Sequence, residues 1–131
     1  MEAVTVDLPP YAELIGATID HWSDGYPVIA VNYSVRVCGN PGTFHGGVLG
    51  GLADLAVTAT LQARNLVGPD GAPFATLNTT IEYLRGGLEM RTYARATIIR
   101  SGRRLACIKA EIWQDDPASP CAIAIVNCSP A

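Results

Sequence analysis

His45-Gly46-Gly47 and, nine residues after the histidine, Asp54 are the residues whose types and spacing suit chemistry. From about His45 to Asn65 the chain has no proline and many small or apolar residues, which predicts a helix of about five turns. The first N–H groups of a helix lack intrahelical partners and carry the positive end of its dipole. Glycines at 46 and 47 let a substrate oxygen approach those groups, so this end suits a carbonyl oxygen that gains negative charge. His45 could orient or polarise that carbonyl. A histidine that only caps the helix fits the same position.

Asp54 stands on an unusual face. On a helical wheel the arc opposite it holds Val48, Leu49, Leu52, Ala53, Leu55, Ala56, Ala59 and Ala63, which predicts packing on a sheet. Near Asp54 lie Gly47, Gly50, Gly51, Val57, Thr58 and Leu61, where a solvated face would carry Lys and Glu. Glycine inside a helix costs ~1 kcal/mol relative to alanine, so Gly50-Gly51 calls for a reason. Either another backbone packs closely there, in tight helix–helix or helix–sheet packing, or a ligand approaches the carboxylate. These surroundings predict partial burial for Asp54, against the ordinary reading of an exposed helix aspartate.

The elements that must hold these residues are legible in outline. Pro9-Pro10 marks a break before a short helical turn, Tyr11 to Ile15, and Ala17 to Trp22 reads as a strand. Asp24-Gly25 is a hairpin turn signal. From Val28 to Val37 the alternation of Val31, Tyr33, Val35 and Val37 against Asn32, Ser34 and Arg36 predicts one strand. The helix is expected to stop near Gly68-Pro69-Asp70-Gly71. Four strands follow, Thr76 to Leu84, Met90 to Arg100, Arg104 to Gln114 and Cys121 to Cys128, joined by turns at Arg85-Gly86-Gly87 and Ser101-Gly102-Arg103. Strands, one long helix and a strand meander give an α+β layout, with an antiparallel sheet wrapped around the helix at about 45–65.

Composition narrows the function classes. The 131 residues suit one domain with one core. With 49% apolar and 16% charged residues, disorder is excluded and an oligomer that hides part of each subunit is favoured. Net charge is −3 without a basic run, which argues against nucleic acid. Cys38, Cys107, Cys121 and Cys128 form no CxxC pair and the only histidines are His21 and His45, so no metal site is expected. Neither a signal-like N-terminus nor a membrane-spanning run is found, so the chain reads as cytoplasmic with no membrane partner.

The run Gly42-Thr43-Phe44-His45-Gly46-Gly47-Val48-Leu49-Gly50-Gly51-Leu52-Ala53-Asp54 resembles the active-site helix of hotdog-fold acyl-CoA thioesterases. It is most similar to the phenylacetate-degradation branch of the 4-hydroxybenzoyl-CoA-thioesterase-like superfamily. Asn78 to Arg85 resembles that family's strand after the helix, and Ile99 to Ala106 its later hairpin. The resemblance runs from about Ala17 to Cys128 and implies one hotdog thioesterase domain over 1–131, with 1–15 as an N-terminal extension.

What the resemblance implies is specific. The homodimer is the minimal active unit, with two helices wrapped by a continuous sheet and often paired again into a homotetramer, a dimer of dimers. Two active sites lie at the dimer interface. The Gly46 N–H polarises the thioester carbonyl beside His45, and Asp54 of the other subunit acts as general base or as nucleophile. Thr76 holds the carboxylate or the water. Asn40, five residues before His45 where about six is usual, matches an asparagine near the carbonyl. Gly47, Leu49, Gly51 and Tyr83 are expected at the substrate, with Leu61 and Phe74 as further pocket borders. Arg85, Arg100, Ser101, Arg103 or Arg104 would meet coenzyme A, which is part of the substrate, and no cofactor is implied. Two other readings stand beside this one: a hotdog dehydratase, whose differently spaced acid–base pair is not found, and a non-catalytic acyl-CoA or small-ligand binding module.

Overall fold

A computed structural model describes residues 5–131. Met1 to Val4, where the N-terminal extension begins and a targeting signature was sought, lie outside the described residues.

The chain forms α1 (Pro10–Ile15), β1 (Thr18–Ser23), β2 (Tyr26–Val31), a 3-10 turn (Val35–Val37), α2 (Gly46–Ala63), β3 (Phe74–Tyr83), β4 (Thr92–Ser101), β5 (Ala106–Trp113) and β6 (Ala122–Pro130). The six strands make one antiparallel sheet in the order β1-β2-β4-β5-β6-β3. The α+β layout expected from the sequence is the one the chain adopts, with α2 against one face of the sheet.

Local chemistry explains most boundaries. Asp24 and Gly25 take φ of 51° and 79°, the pair of positive values that a tight two-residue hairpin turn demands between β1 and β2. On β5 the alternation is regular: Ala106, Ile108, Ala110 and Ile112 are buried, while Cys107, Lys109, Glu111 and Trp113 are half-buried on the other face. Helix α2 stops earlier than the glycine-proline cluster suggested. Asn65 adopts φ 50°, its N–H donates to the Gln62 carbonyl, and the Leu66 N–H donates to the Leu61 carbonyl. This crossed pair of bonds closes the helix C-terminus, with asparagine in the left-handed position that glycine usually fills.

Two expectations are corrected. The strand predicted from Val28 to Val37 ends at Val31, and Val35 to Val37 form the 3-10 turn. The alternation continues but no longer means a strand. Val35 is 92% exposed, Val37 is fully buried, and the Arg36 guanidinium donates to the Leu14 carbonyl of α1. The predicted two-faced helix is also buried almost all round: Val57 and Leu61, placed on the Asp54 side by the wheel, are core residues. What remains exposed is a narrow strip led by Gly46, Gly47 and Asp54.

The sheet face toward α2 carries small residues, Ala94, Ala96, Ala110, Ala122 and Ala124, all fully buried. They let the helix lie close, and its Leu52, Leu55 and Val57 fill the space with Ile29, Ile108 and Ile112. Thr60, a polar residue of α2 buried in this layer, donates its hydroxyl to the Ala96 carbonyl at 2.8 Å.

Candidate active site

The start of α2 is held from several directions. His45 N–H donates to the Val37 carbonyl at 2.8 Å and Phe44 N–H to the Gly87 carbonyl at 2.9 Å. The Phe44 ring is buried and meets Tyr33 edge-on at 5.3 Å, which anchors the loop just ahead of the helix. Upstream, the Asn40 carbonyl accepts from both the N–H and the hydroxyl of Thr43, closing the turn that delivers the chain to His45.

His45 is the N-cap. Its Nδ1 accepts a 2.9 Å bond from the Gly47 N–H, and its carbonyl accepts from Val48 and Leu49. A nitrogen that accepts carries no proton, so the neutral ring bears its hydrogen on Nε2 and offers a donor away from the helix. Of the first-turn donors, this leaves the Gly46 N–H without a partner among the described residues. It lies at the positive end of the helix, and Gly46 borders a groove of about 390 Å³ lined also by Cys38, Asn40, Thr43 and His45.

Gly46 also borders a second groove, about 390 Å³, with Leu49, Tyr83, Leu84 and Arg85. Tyr83 reaches from the end of β3 and donates its hydroxyl to the Gly46 carbonyl at 2.8 Å.

Asp54 lies elsewhere. It is exposed in the single chain, which corrects the expectation of partial burial. The Thr76 hydroxyl donates to Asp54 Oδ1 at 3.2 Å. Both residues line a cavity of about 480 Å³ whose walls include Thr58, Leu61, Leu66 and Phe74. Beneath Thr76, directly across on β6, is Cys128. Burial pushes its thiol up, against a smaller opposing effect of the Thr76 hydroxyl.

The expected site residues therefore fall into two groups. Asn40, His45, Gly46, Leu49, Tyr83 and Arg85 gather at the start of α2, while Asp54, Thr76, Leu61 and Phe74 gather further along it. Eight residues of helix separate Gly46 from Asp54, about 12 Å at 1.5 Å per residue. One chain does not bring the two halves together. Arg100, Ser101 and Arg103 sit on the exposed tip joining β4 to β5, with Arg104. Ser101 pairs with Ala106, Ala106 with Cys128 and Cys128 with Thr76, so that tip belongs to the Asp54 end and Arg85 to the Gly46 end.

Two glycines expected at the substrate are occupied by the chain itself. A Cβ on Gly51 would stand 2.6 Å from the Tyr11 ring, and a Cβ on Gly47 would stand 3.0 Å from His45 Nδ1. Gly51 is thus a seat for Tyr11, not an open approach to the carboxylate. Tyr11 was missed in the sequence, where the only signal was the unexplained Gly50-Gly51 pair, far along the chain from it. Burial raises the Tyr11 phenol above its ordinary value.

Comparison with known proteins adds an independent line. Residues 41–121 match the sequence profile of the Thioesterase superfamily, a span that contains every expected site residue except Asn40. The medium/long-chain acyl-CoA thioesterase YigI of Salmonella typhimurium is 24% identical over 119 residues, covering 82% of this chain and 77% of that protein. Among solved structures, a point mutant of the phenylacetic acid degradation protein PaaI from Thermus thermophilus is 26% identical. It superposes with a TM-score of 0.78 over 94% of this chain and 100% of that one. The E. coli PaaI protein from the phenylacetic acid degradation operon shares the fold, with a TM-score of 0.76 at 21% identity over 90% of this chain and 86% of that one.

Proposed function

The chain belongs to the thioesterase superfamily, and from that premise we propose that it hydrolyses an acyl-CoA thioester to the free acid and coenzyme A. The observation that carries the proposal is the Gly46 N–H at the start of α2, unpartnered among the described residues and next in sequence to the capping His45. A thioester oxygen seated there gains negative charge as its carbonyl is attacked, and a fixed N–H at a helix start stabilises that charge without reorganising. Asp54, oriented by Thr76, takes the proton of the attacking water, or attacks the carbonyl itself to form an anhydride that water then opens. In the general-base route Asp54 passes that proton to the thiolate as the C–S bond breaks; in the anhydride route the thiolate leaves first and takes its proton from solvent, and water then opens the anhydride to release the acid and restore the carboxylate. These steps use an N–H donor, a carboxylate and water, so no cofactor enters the proposal.

The 12 Å spacing along α2 makes the homodimer the working unit of this proposal. β3 is an edge strand, exposed from Ala75 to Thr80. Two chains joined antiparallel through β3 about a two-fold axis would set the Tyr83 end of one beside the Thr76 end of the other. The Gly46 donor of one subunit would then face Asp54 of its neighbour, and Arg85 would approach the neighbour's Arg100–Arg104 tip, where coenzyme A phosphates find cations. The apolar walls at Leu61, Leu66 and Phe74 suit an aromatic or medium-chain acyl group.

The test is turnover of a panel of acyl-CoAs by the parent protein and by Asp54→Ala. Loss of the carboxylate is expected to lower kcat by about 10²-fold or more across the accepted substrates. Full activity in the variant would show the assigned mechanism to be wrong.

A further inference from the structure

The Gly46 N–H is useful only if it is held still, and the His45 carbonyl of its own peptide, which accepts from Val48 and Leu49, anchors one side of it. Gly46 and Gly47 are consecutive glycines at a helix start, with no side chains to seat them and wide backbone freedom. The peptide that joins them is tied at both its carbonyl and its N–H. The His45 imidazole holds the Gly47 N–H at 2.9 Å, and the Tyr83 hydroxyl holds the Gly46 carbonyl at 2.8 Å. The Tyr83 ring lies flat enough against the helix that a Cβ on Gly46 would touch it at 3.6 Å, and one on Gly50 would meet its hydroxyl at 3.8 Å. A side chain directed at a backbone carbonyl in this way has committed its only proton to the protein. It is not offering it to a ligand.

From this geometry we infer that Tyr83 is a positioning residue: its hydroxyl, through the Gly46 carbonyl, holds the Gly46–Gly47 peptide and so limits rotation about the Gly46 Cα, which joins that peptide to the oxyanion-donating N–H. This deepens the proposed function and rests on it for the role of that N–H. It replaces the expectation that Tyr83 serves chiefly to contact substrate. The ring supplies packing whether or not the hydroxyl is present, so the two contributions separate cleanly. Tyr83→Phe keeps the ring on Gly46 and Gly50 and removes only the bond.

The experiment compares the full-length parent, Tyr83→Phe, Tyr83→Leu and Asp54→Asn in steady-state hydrolysis of the best acyl-CoA from the panel. It is paired with the infrared carbonyl stretch of a bound ketone analogue in which a methylene replaces the thioester sulfur. Tyr83→Phe is expected to lower kcat about tenfold with KM within about twofold. Its bound carbonyl band should move toward the free-ligand value while its melting temperature stays near that of the parent. Tyr83→Leu should show the same band shift with an added loss of stability. An unchanged kcat and band in Tyr83→Phe would overturn the inference, and so would a raised KM at unchanged kcat, the signature of a substrate contact. Asp54→Asn separates the two levels. If it is fully active, the proposed mechanism fails, yet the carbonyl band still decides the role of Tyr83, because that band does not depend on the carboxylate.

Discussion

Thr76 and Tyr83 stand seven residues apart on β3, yet both side chains bond to α2, one at Asp54 and the other at Gly46. In a regular strand, residues an odd number apart point to opposite faces. The pairing with β6 resolves the conflict. Thr76 is opposite Cys128 and Asn78 opposite Asn127, so Leu77 is an extra residue with no counterpart. This bulge reverses the alternation once. From Thr79 onward the residues facing the helix are the odd-numbered ones, opposite the buried Val126, Ala124 and Ala122 of β6. One strand thereby anchors both ends of the candidate machinery.

The Thr76 hydroxyl gives a direct prediction. Thr76→Val removes the donor to Asp54 and keeps the shape, while Thr76→Ser keeps the donor. A hydrogen bond to a charged group contributes about 1.5–3 kcal/mol, and exposure in the single chain argues for the lower end. We expect kcat of the valine variant to fall about tenfold and that of the serine variant to stay near the parent. Equal rates for the two variants in the acyl-CoA assay would remove Thr76 from the mechanism.

Gly51 and Tyr11 form a lock that a double-mutant cycle can measure. Alanine at 51 gains about 1 kcal/mol of helix propensity. In the parent background its Cβ meets the Tyr11 ring at 2.6 Å and expels it, so thermal stability should fall. In a Tyr11→Ala background the obstacle is gone and the same change should raise stability. The sign reversal, read by thermal melting, is the expected result, and a destabilisation in both backgrounds would refute the lock.

Asp20 sets a pH dependence away from the candidate site. The Arg91 guanidinium, at 2.8 Å, and then the His21 ring hold its carboxyl below the usual carboxylate range. A carboxylate lowered on folding stabilises the protein above its unfolded value, and that contribution is lost as pH falls through the lower folded value. Asp20→Asn should therefore cost most stability near neutral pH, with the gap to the parent closing in acid and narrowing with added salt. A gap that stays constant from neutral to acid pH would contradict this account.

What the sequence made legible follows a physical pattern. Local signals were sound: the Asp24-Gly25 turn, the alternation of β5 and the proline-free helix each depend on neighbours within a few residues. The His45-to-Asp54 run placed a helix start and a carboxylate correctly on one element. Features set by distant partners were not readable. Val35 and Val37 continue the β2 alternation perfectly, and only docking of the 3-10 turn on α1 separates one from the other. The bulge at Leu77 has no glycine or proline to announce it, since its cause is the register of β6. The Gly50-Gly51 pair signalled a close approach, but the visitor, Tyr11, could be identified only once the chain had folded back.

The two edges of the sheet differ in a way that bears on stoichiometry. At β1 the pairing with β2 slips after Ile19, and Asp20 is strapped by Arg91, which also grips Asn32. That edge is short, bent and charged. At β3 the edge is ten residues long and carries a single charge, Glu82. Joining through β3 consumes the receptive edge of each copy and leaves only the blunted β1 edges outside. In the proposed dimer, growth by strand addition would halt after one event, so the same asymmetry that would complete two reaction centres would also guard the chain against open-ended strand-by-strand fibres.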